Sequence, residues 1–579
     1  MAETLDQKLG ALAQISQRKL TDILDRIAGT KDFIIHPDLI KPLERIMGVS
    51  ILRSHGVDKI YKLEKSAPTP CTSNQRVFFI PSDMITLKYV CDKITSEISS
   101  SGSERSYHIV FVSGILGCLI QLLEEEGIYG KVRVYPFHWE LIRLDSRLLS
   151  IEYPTFFKNV FLEGDHSYLS CIARSIWSLQ MLLGKPRTTF IQGKLSHLVH
   201  EMVNMLSDTV QKPEREDCDI ACFIIVDRSV DYVTPLLTSA TYTGLLDEVF
   251  GIRSGTVEIK GETINLSSAD EVYSEVNTRH FSDVYSFLGA KTKELNEELN
   301  AFKRSHNMAL QEMKAFINQQ LQSLMGLKKS LSTHITACEA IIDKMADLFE
   351  ALITTEHNII QCQAKRENVT YIEETMAMES ADKFRTLRLM GLLSLAQGGL
   401  LSEEVADLKS QFLHAHGYEN LPCFLNLEKL GILTTQAGLL PHDLKGVALA
   451  NRVVQAVMLA QKLHLLPETS MDPHGLRNPK DMSYVFSGAY IPIICQLVNF
   501  IIKLDTPLEE MAKLIPNCSV FLDSNSGRKP LRSFLVYFLG GVTFAEVAAF
   551  RLLEKLTGSR IVIAGTTITN GNQIVKACL

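Results

Sequence analysis

ACFIIVDRSVDYVTPLL, residues 221–237, carries an apolar, β-branched run straight into Asp227-Arg228-x-x-Asp231 and then into Thr234-Pro235. An apolar run without polar alternation predicts a strand buried on both faces, as in a parallel sheet covered by helices. Thr234 followed by Pro235 has the order of an N-cap and a first helical residue, so a helix is expected to start there. Asp227, Arg228 and Asp231 then fall in the strand-to-helix connection. Two carboxylates beside an arginine at such a place fit either an active site or a knot of internal ion pairs. Catalysis needs further groups (a base, a metal site or an oxyanion donor), and no second cluster in the sequence supplies them. A buried arginine needs a carboxylate partner, and a carboxylate at a helix start can accept backbone N–H bonds. Structural ion pairing is therefore the leading reading, with a catalytic or magnesium-binding role as its alternative.

Two further apolar, β-rich runs stand at the far end of the chain, Ser533 to Leu539 and Arg560 to Ala564. They are natural neighbours for the strand near 221, which implies one α/β domain assembled from two distant pieces around a long insertion. That insertion, roughly Gly261 to Leu466, is nearly all helix by pattern. Its strongest feature is an apolar stripe from Leu310 through Met313, Ile317 and Leu331 to Leu352, at spacings of three and four, with a break expected near Gly326. Such a stripe packs into its own bundle or receives a partner's helix. Toward the N-terminus, strands predicted at 31–35, 76–80, 107–112 and 131–135 alternate with helices, the signature of another parallel sheet.

The chain has 579 residues, too many for one core. Its formal charge of −7 argues against a general nucleic-acid binder and against simple docking on acidic lipid. The first residues, MAETLDQKLG, lack the basic start and apolar core of a secretory signal. No apolar stretch reaches the ~20 residues of a spanning helix. The 12 cysteines include no CxxC and lie mostly in apolar segments, which points to free thiols in a reducing, cytoplasmic setting and away from zinc.

Phosphate loops are missing: there is neither GxxxxGK[ST] nor GxGxxG. Gly540-Gly541 does join a strand to a helix, but Thr543-Phe544-Ala545-Glu546 has capping-box spacing, so the helix caps itself. No GxSxG elbow occurs, and His197 and His200 are not followed by a zinc-protease pattern. No catalytic residue, cofactor site or metal site is expected.

Asp227-Arg228-x-x-Asp231-x-x-Thr234-Pro235-Leu236-Leu237, with Thr241-Tyr242 downstream, resembles the signature of the SM family, the syntaxin-binding chaperones of SNARE assembly. Ser50-Ile51-Leu52-x-x-x-Gly56-Val57-Asp58-Lys59-Ile60-Tyr61 is similar to that family's first-domain segment. The stretches 481–492 and 538–546 resemble its vacuolar-sorting branch, and 124–130 with Tyr242-x-Gly244-Leu245-x-Asp247 resemble the B-type paralogues of that branch. One departure stands out: Thr238 occupies a place where many members carry histidine. The substitution is easy to accept if the site is architectural.

The resemblance implies an α/β plus α fold, a three-domain arch. A parallel α/β first domain (1–150) is followed by a split α/β second domain (151–260 and 467–579) with a mainly helical third domain (261–466) inserted. It implies a non-enzymatic regulator of membrane tethering and fusion that binds SNARE proteins, works with a paralogue-specific companion subunit of the class-C sorting type, and sits peripherally on late endosomes and lysosomes through its partners. For SNARE contact the expected hairpin, Val284 to Leu324, offers Phe302, Met308, Met313 and Phe316. For the companion, Leu440 to Leu466 offers Val447, Val453, Val454, Val457 and Leu459. The rivals are a structural tether that never touches SNAREs and, further off, a nucleotide-binding enzyme.

Overall fold

The computed structural model describes residues 5–64, 72–100, 105–211, 218–304, 322–345, 348–378, 382–436, 463–467, 473–503, 510, 512–513, 515–522 and 532–579. The chain folds into two compact units. The first takes Met1–Tyr153, Asp165–Pro186 and Leu198–Ile220. The second takes Pro154–Gly164, Arg187–His197 and Ala221–Leu579.

In the first unit the apolar runs become β1 (Lys31–Ile35), β3 (Gln75–Pro81), β4 (Ser106–Val112) and β5 (Val132–Phe137), joined by β2 (Val57–Lys62) at the edge. The order is β2-β1-β3-β4-β5 and every pairing is parallel. All five residues of β1 are buried, as a strand covered on both faces requires. Phe33, Phe79 and Phe137 pack in a row across the core as tilted rings, with centroids 5.4 and 5.6 Å apart. The sequence pattern misses β2, because an edge strand with mostly exposed residues has no continuous apolar run. A short antiparallel pair, β6 (Ile142–Asp145) and β7 (Leu148–Ser150), follows.

In the second unit, β8 (Thr188–Gln192) and β9 (Cys222–Asp227) lie parallel. A hairpin, β10 (Thr256–Ile259) with β11 (Glu262–Asn265), follows, and the border expected at 260/261 falls in its turn. β12 (Cys518–Leu522) runs antiparallel on the outside of β8. β13 (Ser533–Leu539) inserts parallel between β9 and β14 (Arg560–Gly565), pairing Phe534 with Cys222 and Leu539 with Asp227. The α/β domain built from two distant pieces is thus a matter of backbone hydrogen bonds. Between the pieces the chain is largely helical, including Phe281–Arg304, Gln322–Met345, Phe349–Ile360, Lys365–Ala377, Lys383–Gln397, Ser402–His416 and Leu421–Leu430.

Two local expectations need correction. The helix after the signature is a single turn, Val233–Leu236, with Tyr232 at its N-cap, so Thr234 and Pro235 lie inside it and do not open it. The stripe is not broken at Gly326. Helix Gln322–Met345 passes through that glycine, which costs only ~1 kcal/mol in a helix, and the next helix begins at Phe349. Along the stripe, Leu331, Cys338 and Met345 are buried and Ile342 is exposed.

Candidate functional site

Asp227 ends β9, and its carboxylate sits on the N-terminus of the helix Lys194–Thr209. It accepts the N–H groups of Leu195 (3.0 Å) and Ser196 (2.9 Å) and the Ser196 hydroxyl (2.6 Å). The approach is only possible beside glycine: a Cβ on Gly193, whose φ is +102°, would lie 2.1 Å from the Asp227 carboxylate. In a parallel sheet this strand-to-helix turn is the ready-made place for a phosphate. Here a protein carboxylate fills it. Burial raises the Asp227 pKa against the opposing hydrogen bonds from Ser196 and Leu195.

Arg228, fully buried, turns the other way. Its Nη1 donates to both carboxylate oxygens of Glu546, each at 2.9 Å, 318 residues downstream, and its Nε donates to the Asp231 carbonyl at 3.0 Å. Burial alone would lower the Arg228 pKa, but Glu546 and Asp231 outweigh it and hold the guanidinium charged. Glu546 also accepts the Thr543 N–H at 2.9 Å, while Thr543 accepts the Glu546 N–H at 3.1 Å, which makes the reciprocal cap of helix Phe544–Thr557. One carboxylate therefore closes a helix end and neutralises an arginine from the turn that follows β9.

Asp231 does the capping assigned above to Thr234. It accepts the Thr234 N–H (2.9 Å), the Thr234 hydroxyl (2.5 Å) and the N–H of Ile493 (3.2 Å). Pro235 is buried within that turn. Arg228 thus finds its carboxylate partner neither in Asp227 nor chiefly in Asp231, whose carboxylate oxygen stands 4.0 Å away, but in Glu546.

A second buried cluster lies a few residues on, and the sequence reading did not find it. Arg388, inside helix Lys383–Gln397, donates to Glu248 (2.6 Å), to Asn572 (3.2 Å), to the Thr238 hydroxyl (3.0 Å) and to the Leu236 carbonyl (3.0 Å). Glu356 accepts the N–H of Thr238 at 2.9 Å and its hydroxyl at 2.7 Å. Two carboxylates then share one guanidinium in a dry site. Burial, with Glu248 adding to it, pushes the Glu356 pKa up to about 7 against the pull of Arg388. Thr238, which stands where many members of the resembled family carry histidine, is a hydrogen-bond relay within this cluster. The available signal was an arginine in an otherwise apolar run, Leu387-Arg388-Leu389-Met390.

The remaining candidates fall elsewhere. His197 is bound at both ring nitrogens, to the Gly193 carbonyl and the Ser519 hydroxyl. No group of three metal-ligating side chains occurs among the described residues, and no helix among them is long and apolar enough to cross a membrane. Phe302 lies on the helix Phe281–Arg304 with its side chain outside what is described; Met308, Met313 and Phe316 lie outside the described residues altogether. The same holds for Val447, Val453, Val454, Val457 and Leu459. One apolar face that the sequence did not single out is exposed: Tyr418, Leu421 and Leu425, the last 61% exposed, at and beyond the start of helix Leu421–Leu430.

Comparison with known proteins places this architecture. Residues 31–577 match the model of the Sec1 family. The chain is 33% identical to vacuolar protein sorting-associated protein 33B of Danio rerio, over 98% of this chain and 97% of the relative. Against the human 33B protein the figures are 32%, 98% and 96%, and against rat 33A they are 28%, 99% and 98%. Among solved structures, the Unc18–syntaxin 1 complex from Monosiga brevicollis matches with TM-score 0.60 at 16% identity, covering 100% of this chain and 99% of that one. The SM protein Vps45 in complex with the Qa SNARE Tlg2 matches with TM-score 0.58 at 16% identity, covering 98% and 97%.

Proposed function

The chain belongs to the Sec1 family, as a homologue of the vacuolar protein sorting-associated 33 proteins, and from that premise we propose that it binds SNARE helices and promotes their zippering on the endosome-to-lysosome route. Sec1-family proteins are regulators of vesicle transport, not enzymes. The observation that carries the proposal is the match over 31–577 to a family whose fold this chain shares with solved SNARE complexes.

The physical work is ordering. A coiled-coil nucleus fixes several residues before apolar contacts reward it, so it is slow and prone to misregister. A rigid groove that holds one or two SNARE helices in register lowers that cost without making or breaking a covalent bond. The helix pair flanking 305–321 supplies such a groove, with Phe302, Met308, Met313 and Phe316 as its contact residues. A class-C companion subunit, specific to the B-type paralogue, docks through 440–466 and the exposed face of Tyr418, Leu421 and Leu425. It brings the protein to late endosomal and lysosomal membranes. The domains on this reading are 1–150, 151–260 with 467–579, and 261–466.

The test is a binding assay of the full chain against a panel of SNARE motifs, with and without the companion subunit. Met313→Asp or Phe316→Asp is expected to weaken SNARE recovery while thermal unfolding stays unchanged. Unchanged recovery with a folded variant refutes the contact assignment, and no binding to any motif in either condition refutes the function.

A further inference from the structure

Helix Gln322–Met345 is buried over only part of its length. Leu331, His334, Ala337, Cys338 and Ile341 are buried, whereas no side chain from Gln322 to Ser330 is, and Met325 is 64% exposed. The neighbouring helix Phe281–Arg304 has its last described buried side chain at Leu295. Burial stops on helix Gln322–Met345 at a polar layer. Tyr242, the first residue of helix Tyr242–Phe250, meets His334 Nδ1 through its hydroxyl at 2.8 Å. The other ring nitrogen of His334 faces Asp270 Oδ2 at 3.4 Å, and Tyr273 stacks on the imidazole with centroids 5.9 Å apart. Asp270 also accepts the Ser330 hydroxyl, at 2.6 and 2.7 Å, while capping helix Glu271–Val276 through the N–H groups of Val272 and Tyr273.

Ser330 and His334 are four apart, hence one above the other on a single helix face. They are held by Asp270, and His334 is held again from Tyr242, so two separate elements grip one helix across successive turns. Apolar packing alone lets a helix turn or slide by small steps, because dispersion is non-directional. Here rotation or sliding would part the buried Tyr242 hydroxyl from the imidazole and the Ser330 hydroxyl from Asp270, whose carboxylate stays fixed by the helix N–H groups it caps. Burial holds the His334 pKa below its usual value, against the opposing pull of Asp270. With Nδ1 accepting from Tyr242, the ring carries its proton on Nε2, which faces Asp270 at 3.4 Å without completing a hydrogen bond.

We infer that Tyr242, Asp270, Ser330 and His334 form a root clamp that fixes the pose of the helix pair Phe281–Arg304 and Gln322–Met345, and so sets the groove offered to a partner's helix. The clamp's link to SNARE binding rests on the function proposed above; its control of helix pose does not. These four are positioning residues and touch no ligand themselves.

Amide hydrogen exchange on the full chain tests the clamp directly, using Tyr242→Phe, which removes one oxygen and keeps the ring, and Asp270→Asn, which keeps the cap but loses the charge. Exchange in 281–304 and 322–336 is expected to quicken about five- to tenfold, the factor set by loss of one buried hydrogen bond, with β9 and β13 unchanged. Affinity for a SNARE motif is expected to fall with it. Unchanged exchange in both helices overturns the clamp, and so does acceleration that is equal in the sheet and the helices. If the helices respond but the unsubstituted chain binds no SNARE motif, the clamp stands and the proposed function falls.

Discussion

The end of β9 and the helix pair around 305–321 use polar side chains in opposite ways. At and just after β9, carboxylates and guanidiniums are sunk in the interior, and the two arginines find their carboxylates far away in sequence: Arg228 in Glu546, Arg388 in Glu248. On helix Gln322–Met345, a single polar layer marks the edge of burial, and the segment from Gln322 to Ser330 is left for solvent or for a partner. The contrast teaches that the most recognisable residues of this chain serve architecture. On the function proposed above, the binding surfaces lie where burial ends and carry less distinctive sequence. A buried ionic network specifies one arrangement of elements because any other leaves charges unpaired. An exposed face can change its side chains without that penalty.

The comparison breaks first at Arg228. Arg228→Ala leaves Glu546 as an uncompensated buried carboxylate, and ~3–5 kcal/mol of stability should be lost. Chemical denaturation of the variant would read this as a collapse of the midpoint or as failure to accumulate folded protein. Survival with an unchanged midpoint would mean that the network is decorative.

Next is Glu356→Gln. A carboxyl whose folded pKa is raised from 4.5 to about 7 binds its proton more tightly in the folded state than in the unfolded one. Between those two values the unfolded state therefore binds fewer protons, and stability falls as pH rises, levelling off above about 7. The variant removes this slope. Its stability relative to the unsubstituted chain should climb by about 1–3 kcal/mol between pH 5 and 8, as measured by urea unfolding at several pH values. Parallel pH profiles would show Glu356 ionised throughout, with Arg388 neutralising it.

A smaller effect is expected at Thr543. Thr543→Ala removes one half of the reciprocal cap and one hydroxyl bond to Glu546, for ~0.5–2 kcal/mol, seen as a modest fall in Tm. Smallest of all is Leu425→Asp on the exposed face, which should change stability by no more than ~0.5 kcal/mol. The same variant should lose companion-subunit binding in a co-purification. A large drop in Tm there would place Leu425 in the architecture and leave that face without a binding role.

Some of this was legible in advance. The continuous apolar runs at β1, β9, β13 and β14 could only be strands covered on both faces, and Thr543 and Glu546 announce their cap by spacing alone. β2 and β8 were missed: the first is an edge with little to bury, and the second, TTFIQ, is too short and too polar at its ends to register as a period. The one-turn helix Val233–Leu236 was misplaced by a residue or two because Asp231, not Thr234, supplies the cap, and both residue types are good caps.

What the sequence determined by itself is local: which runs must be buried, which helices cap themselves, and that no phosphate-loop pattern is present. Which carboxylate answers which arginine was decided only by tertiary structure. Glu546 and Arg228 come together because β13 slots beside β9, and Arg388 reaches Glu248 because a helix from the insertion packs onto the loop after the signature. Charge pairing in a dry interior depends on distance in space, and spacing along a chain carries no record of it.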